Sequence, residues 1–171
     1  AEVDGGLDGF FRQQLFVAGG DSLSLDDIEN RIVRPEFRDP RTHFALNCGA
    51  ASCPALDNRA FHGARLEADL DRQTRRFAGD PTHVRWQQGR LYLSRILDWY
   101  GQDFVDWFPT EASTEEGQTE EGGTRTIVDY LRLYAPQELV HQLPANADVT
   151  VEFNEYDWAL NAQTPQPKKG L

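Results

Sequence analysis

An α+β fold, a small mostly antiparallel sheet with helices packed on it, is predicted for this chain of 171 residues by three observations. Residues 84–93 pair in phase as a hairpin about Gln88-Gly89, which sets Val84, Trp86, Leu91 and Leu93 on one face. Residues 149–160 alternate apolar and polar like a half-buried strand. Between these, apolar residues recur at helical spacing in segments bounded by Gly, Pro and capping residues.

Taken in order, residues 1–23 form an N-terminal segment, Gly-rich at both ends around a short apolar stretch. Ser24 is a helix N-cap with Asp27 in the capping-box position. Leu25, Ile28 and Ile32 share a face of this helix, and Pro35 is expected to end it. Residues 42–47 read as a strand. A helix over residues 64–78 presents Leu66, Leu70 and Phe77, and Gly79-Asp80-Pro81 stops it. After the hairpin, Ser94 opens a helix carrying Ile96, Leu97 and Tyr100, interrupted at Gly101. Residues 109–125 hold five Glu, three Gly and four Thr, so an acidic surface loop is expected there. Helices follow over residues 126–134 and 137–143.

In the last strand region, Val149, Val151 and Phe153 keep one phase while Tyr156, Trp158 and Leu160 keep the other. A strand changes phase only through a bulge or tight turn, expected near Asn154-Glu155. Residues 24–161 thus read as a single domain, followed by a flexible tail over residues 162–171.

Composition narrows the function. The net charge of -11, with fifteen Arg and only two Lys, leaves no basic stripe to displace counterions from nucleic acid. No run approaches the roughly 18 apolar residues of a membrane-spanning helix, so no membrane insertion is expected. No cofactor motif is present. The acidic excess fits a GC-rich genome or a halophilic origin equally well.

The densest chemistry lies between His43 and Pro54, a stretch that contains the only two cysteines, Cys48 and Cys53. Pro favours the first position of a helix, so Pro54 would make Cys53 an N-cap whose thiol feels the positive end of the helix dipole. Cys53 as nucleophile, His43 as base and Asp157 as the carboxylate orienting it would make a catalytic constellation. Asn47, Ser52 and Asn161 are candidate substrate-binding residues. Alternatively, Cys48 and Cys53 form a disulfide, sterically easy if the four residues between them curl. Such a staple would suit a non-catalytic interaction domain or subunit in an extracytoplasmic compartment, periplasmic or secreted. A metal site on His43, Cys48, Cys53 and Asp157 ranks third, because zinc sites favour closer cysteine spacing and a strand would point His43 and Cys48 to opposite faces. No metal is therefore expected.

Five segments carry a family resemblance: Ser24-Leu25-Asp26-Asp27-Ile28-Glu29-Asn30, Asp39-Pro40-Arg41-Thr42-His43-Phe44-Ala45-Leu46-Asn47-Cys48, Ser52-Cys53-Pro54, Ile96-Leu97-Asp98-Trp99-Tyr100 with Asp103-Phe104, and Tyr156-Asp157-Trp158-Ala159-Leu160-Asn161. Together they resemble the domain of unknown function 547 family, found in bacteria, plants and animals. The resemblance runs from about Ser22 to Asn161 and implies no particular activity. Members usually carry an upstream helical motif close to Trp-Ile-Asn-x-Tyr-Asn-Ala, which residues 1–23 lack. With no Met in the chain, this absence leads to the expectation of a partner chain or a missing N-terminal segment. The inventory of Cys, His and Asp on an α+β frame suggests a cysteine-centred hydrolase or acyl-transferase, by analogy with the papain and transglutaminase architectures.

Overall fold

The computed structural model describes residues 9–107, 126–144 and 149–161. The acidic segment over residues 109–125 and the tail over residues 162–171 lie outside the described residues. A short helix, α1 (Phe10–Gln13), leads into an antiparallel hairpin of β1 (Leu15–Ala18) and β2 (Asp21–Ser24). Leu15, Phe16 and Val17 of β1 remain exposed.

Ser24 then caps α2 (Leu25–Asp27) as its sequence signature requires. The Asp27 N–H donates to Ser24 Oγ at 3.0 Å, and the Ser24 N–H donates to Asp27 Oδ2 at 3.0 Å. The helical run does not stop at Pro35. It passes through a π-helical stretch, Ile28–Val33, into α3 (Arg34–Phe37), and ends at Arg38 with φ at 48°. A proline inside an α-helix loses its own hydrogen bond and clashes with the carbonyl four residues back. Widening the preceding turn places Pro35 in the first turn of α3, where no N–H is needed.

Residues 42–47 correct a second expectation. In place of a strand, Pro40–Phe44 form a 3-10 helix. Local polar chemistry overrides the apolar pattern: Asp39 Oδ1 accepts from the Arg41 N–H at 2.9 Å, and Thr42 Oγ1 donates to the Asp39 carbonyl at 2.8 Å. Arg41 also reaches Asp71 at 2.7 Å and Glu67 at 2.6 Å, which ties this turn to the next helix.

That helix is α4 (Leu66–Ala78), entered through a 3-10 turn at Gly63–Arg65. The hairpin follows, with β3 (Val84–Gln87) and β4 (Arg90–Leu93) in the expected register, Val84 opposite Leu93 and Trp86 opposite Leu91. Trp86 is partly buried against the core. Helices α5 (Ile96–Trp99) and α6 (Gly101–Asp106) break at Tyr100-Gly101, and α7 (Ile127–Tyr134) and α8 (Gln137–Val140) follow.

The C-terminal strand is shorter than its pattern suggested. Only β5 (Val151–Phe153) forms, parallel to β4, which makes the second sheet mixed. The chain leaves the sheet at Asn154, where the apolar phase changes. From there residues 157–161 run along the cysteine loop.

The core is an aromatic stack that joins these elements. Phe44 packs on Phe77 at 4.3 Å and on Phe104 at 5.4 Å between ring centroids, and Phe104 meets Tyr130 at 5.0 Å. Leu91, Leu93, Leu97 and Leu131 close around it, fully buried. Phe44 thereby fixes the 3-10 turn that carries His43.

Truncating Leu91 to Ala is expected to cost about 2–5 kcal/mol in urea unfolding, since its side chain is wholly enclosed. Gln88 holds φ at 52° in the hairpin turn, a conformation that Asn tolerates better. The Q88N variant should gain about 0.5–1 kcal/mol in the same measurement.

Candidate functional site

The cysteine loop is built by its polar residues. Asn47 spans it, donating from Nδ2 to the Pro54 carbonyl at 2.5 Å and accepting the Gly49 N–H at 2.7 Å. Gly49 has φ at 83°, which a side chain would strain. The C-terminal segment locks the loop from outside. Ala51 N–H donates to the Ala159 carbonyl at 2.8 Å, Ser52 N–H to the Asp157 carbonyl at 3.2 Å, and Asn161 N–H to the Gly49 carbonyl at 2.8 Å. Ser52 Oγ accepts the Asp157 N–H at 2.9 Å. Asn47 and Ser52, expected to bind substrate, therefore spend these groups on shaping the loop, and Asn161 contributes a backbone contact to it.

Both cysteines are free thiols. Their sulfurs are in contact with no bond between them. The disulfide expectation is thereby corrected: the loop curls enough to bring the pair together, yet no bond joins it. Cys53 is the better-stabilised anion. Its pKa is pushed down to about 5, first by the Cys48 thiol and, against the cost of burial, by the Tyr156 hydroxyl and by backbone N–H groups. Tyr156 Oη stands 3.3 Å from Cys53 Sγ, and the Cys48 N–H donates to that sulfur at 3.2 Å. Cys48 shifts upward, because its proton serves Cys53 and because it is partly buried. No helix follows Cys53: residues after Pro54 form an irregular loop. The expected dipole effect is absent, and direct hydrogen-bond donors replace it.

Next to the thiols lies a polar cluster drawn from other motifs. His43 is 4% exposed, and its Nε2 meets Asp103 Oδ2 at 2.8 Å. Arg34 Nε donates to the same oxygen at 2.9 Å. The His43 ring stacks on Tyr100 at 3.9 Å, and Tyr100 Oη donates to Glu29 Oε1 at 3.0 Å. Burial lowers the His43 pKa against the pull of Asp103, so the ring is neutral at pH 7, with Nε2–H directed to Asp103. Its Nδ1 is then a buried acceptor with no hydrogen-bond partner. Burial raises the Glu29 pKa, and the Cys53 charge adds to that rise.

The expected triad is therefore rearranged. His43 makes no hydrogen bond to either sulfur; Tyr156 occupies that position. Asp103, not Asp157, is the carboxylate on His43. Asp157 is exposed and turns its Oδ1 to the Ala159 N–H at 2.9 Å. With His43 engaged by Asp103 and Asp157 directed elsewhere, no group of three His, Cys, Asp or Glu side chains suited to a metal is found among the described residues. Glu29, Arg34, Tyr100, Asp103 and Tyr156 were not singled out by chemistry from the sequence. All but Arg34 lie inside the five resemblance segments, which was the available signal.

A face of three aromatic rings adjoins the thiols. Tyr156 packs against Trp158 at 4.5 Å and Trp99 at 4.8 Å, and the two tryptophans are 48% (Trp99) and 37% (Trp158) exposed. Among the described residues, no helix is long and apolar enough to cross a membrane.

The molecule is thus an α+β protein with an adjacent pair of free thiols set beside a buried His–Asp–Arg cluster. Residues 7–78 match the model of the family described as "Protein of unknown function, DUF547". That match supports the resemblance drawn from the motifs and spans the first three of them. No curated protein and no solved structure matches the chain.

Iodoacetamide alkylation across a pH series should show Cys53 keeping its reactivity below the pH at which an ordinary cysteine loses it. A free cysteine loses it through about pH 8.5. In Y156F, which removes one donor to the thiolate, the midpoint should move upward.

Proposed function

We propose that the domain carries out acyl-transfer chemistry on Cys53, as a hydrolase or acyl-transferase. The observation that supports this reading is a free thiol whose anion is held by three donors at one point of the chain: the Cys48 thiol, the Cys48 N–H and the Tyr156 hydroxyl. A thiolate is the nucleophilic form of cysteine, and stabilising it near neutral pH is the usual way such residues are activated.

In this reading, Cys53 Sγ attacks an acyl carbonyl and forms a thioester as the leaving group departs. Water, or a second nucleophile, then releases the acyl group. Cys48 retains its proton beside the reacting sulfur, and Glu29, held toward its neutral acid form, is a second proton source. The Asp103-bound His43 orders Tyr100 by stacking and so positions Glu29. Because Cys53 is only 6% exposed, the carbonyl has to arrive on a slender, extended chain. Trp99 and Trp158 offer an apolar face for the remainder of that substrate.

The interaction-domain alternative rests on a cross-link between Cys48 and Cys53, which are free thiols here. A separate observation supports a covering partner chain or segment: Phe10, Leu15, Phe16 and Val17 are exposed, and Phe10 packs on Phe16 at 6.2 Å.

A panel of p-nitrophenyl esters of linear acids tests the acyl-transfer reading. A burst of nitrophenol with an acyl adduct mapped to Cys53 is expected, and C53S should abolish both. D103N should slow the reaction roughly 10-fold or more by loosening the cluster. Absence of any Cys53 adduct across the panel would reject acyl transfer.

A further inference from the structure

Acyl transfer uses Cys48 as a donor to the Cys53 thiolate, a role that does not itself call for a second sulfur. A single activated cysteine suffices for that chemistry, and a second thiol in contact with it invites oxidation. Four features of the loop bear on what the pair does. The sulfurs are already in contact as free thiols, so a bond between them needs no large movement of either side chain. The intervening residues are curled and pinned by the three backbone hydrogen bonds from Asp157, Ala159 and Asn161, so closure needs no rearrangement of the loop. The two sulfurs are unequal: Cys53 receives the Cys48 N–H at 3.2 Å, and its separation from Tyr156 Oη is 3.3 Å against 3.6 Å for Cys48. Finally, Cys53 is buried while Cys48 is partly exposed. That access suits a very small oxidant at Cys53 and a larger reductant at Cys48.

We propose that Cys48 and Cys53 form a peroxide-reactive dithiol in which Cys53 is the sulfur first oxidised, Cys48 is the resolving sulfur, and their disulfide switches off the Cys53 nucleophile. This rests on Cys53 being the nucleophilic sulfur of the site, as in the reading above. In the first step the Cys53 thiolate attacks one oxygen of hydrogen peroxide. An S–O bond forms, the O–O bond breaks, and hydroxide leaves, giving a sulfenic acid at Cys53. In the second step the Cys48 sulfur attacks Cys53 Sγ. The S–S bond forms, the S–O bond breaks, and the departing hydroxyl takes the Cys48 proton as water. Two electrons pass from the sulfur pair to the peroxide, and the sum is two thiols and one peroxide giving one disulfide and two waters, with the first hydroxide reprotonated from solvent. A dithiol reductant restores the pair by exchange, entering at the more accessible Cys48.

The physical asymmetry matches the two roles. The first step needs a thiolate and a hydrogen-bond donor that can also steady the leaving hydroxide, and the Tyr156 hydroxyl stands there. The second needs a neighbour that still carries its proton and is already in contact. Closure consumes the Cys53 nucleophile and leaves Tyr156 without an anionic acceptor. A site that forms a thioester would then be silenced under oxidising conditions and recover on reduction.

The experiment uses the whole reduced chain and hydrogen peroxide at one equivalent. Intact mass should fall by two hydrogens without gain of oxygen, the thiol count should go from two to none, and dithiothreitol should reverse both. In C48S, the sulfenic acid should persist on Cys53 and be trapped by dimedone. In C53S, Cys48 should react at least tenfold more slowly than Cys53 does in C48S. Oxidation of C48S without a dimedone-trappable intermediate, equal peroxide rates at the two sulfurs, or disulfides formed between chains would each overturn the proposal. The pH series with iodoacetamide separates the two readings. A Cys53 that alkylates at low pH but ignores peroxide refutes the redox role and leaves the nucleophile intact. A Cys53 with the reactivity of free cysteine refutes both.

Discussion

The backbone pairing between the cysteine loop and residues 157–161 is the constraint on which the rest of the site depends. These two stretches are separated by about a hundred residues, and neither forms a regular strand. They are joined by an isolated antiparallel bridge, Ala50 opposite Leu160, and by the hydrogen bonds flanking it. That pairing satisfies backbone groups that would otherwise be lost as the loop folds inward. It also delivers Tyr156, which immediately precedes the paired segment, onto both sulfurs. Without the C-terminal segment, Cys53 would lose one donor directly, and the contact with Cys48 would depend on Asn47 and on the loop's own hydrogen bonds, Cys48 N–H to Cys53 Sγ and Cys53 N–H to the Ala50 carbonyl.

The second organising feature is the carboxylate of Asp103. It accepts from His43 and from Arg34 on one oxygen, so it links the 3-10 turn, α3 and α6. A carboxylate with one cation and one neutral donor is a satisfied buried group, whereas its removal would strand a guanidinium and an imidazole together. The π-helical stretch has a part in this geometry. Widening one turn ahead of Pro35 changes the angular relation between Glu29 and Arg34, and these residues reach Tyr100 and Asp103 respectively. A helix irregularity forced by proline thus lies beside the site, as such bulges often do.

Much of this was legible in the chain wherever local chemistry and tertiary packing agree. The Ser24 capping box and the Gln88-Gly89 hairpin are local, and both stand in the expected register. The apolar run at residues 42–47 misled because a pattern of alternation says nothing about Asp39 and Thr42, whose side chains capture the backbone first. Pro54 misled in the same way: proline is compatible with a helix start but does not create one. The site was legible as a place, the cysteine loop, but not as a set of partners. Asp103 and Asp157 are equally acidic in the sequence. Only the fold decides that one faces a buried imidazole and the other its own backbone.

The ionisation of Cys53 is notable in a chain of net charge -11. A uniform negative field should disfavour one more anion. Surface carboxylates, however, act across water and salt, and their influence fades within about 10 Å. The donors on Cys53 act at hydrogen-bond distance inside the loop, where the dielectric is low and each is worth more. The short-range terms therefore win. Among the carboxylates, Glu29 lies close enough to feel the Cys53 charge. Burial favours its neutral form, and the Cys53 charge reinforces that preference against the Tyr100 hydrogen bond and the Arg34 charge. A negative charge on Cys53 and one on Glu29 thus disfavour each other. Cys53 is the better placed of the two to hold charge, because its sulfur has the Cys48 N–H and the Tyr156 hydroxyl at hydrogen-bond distance.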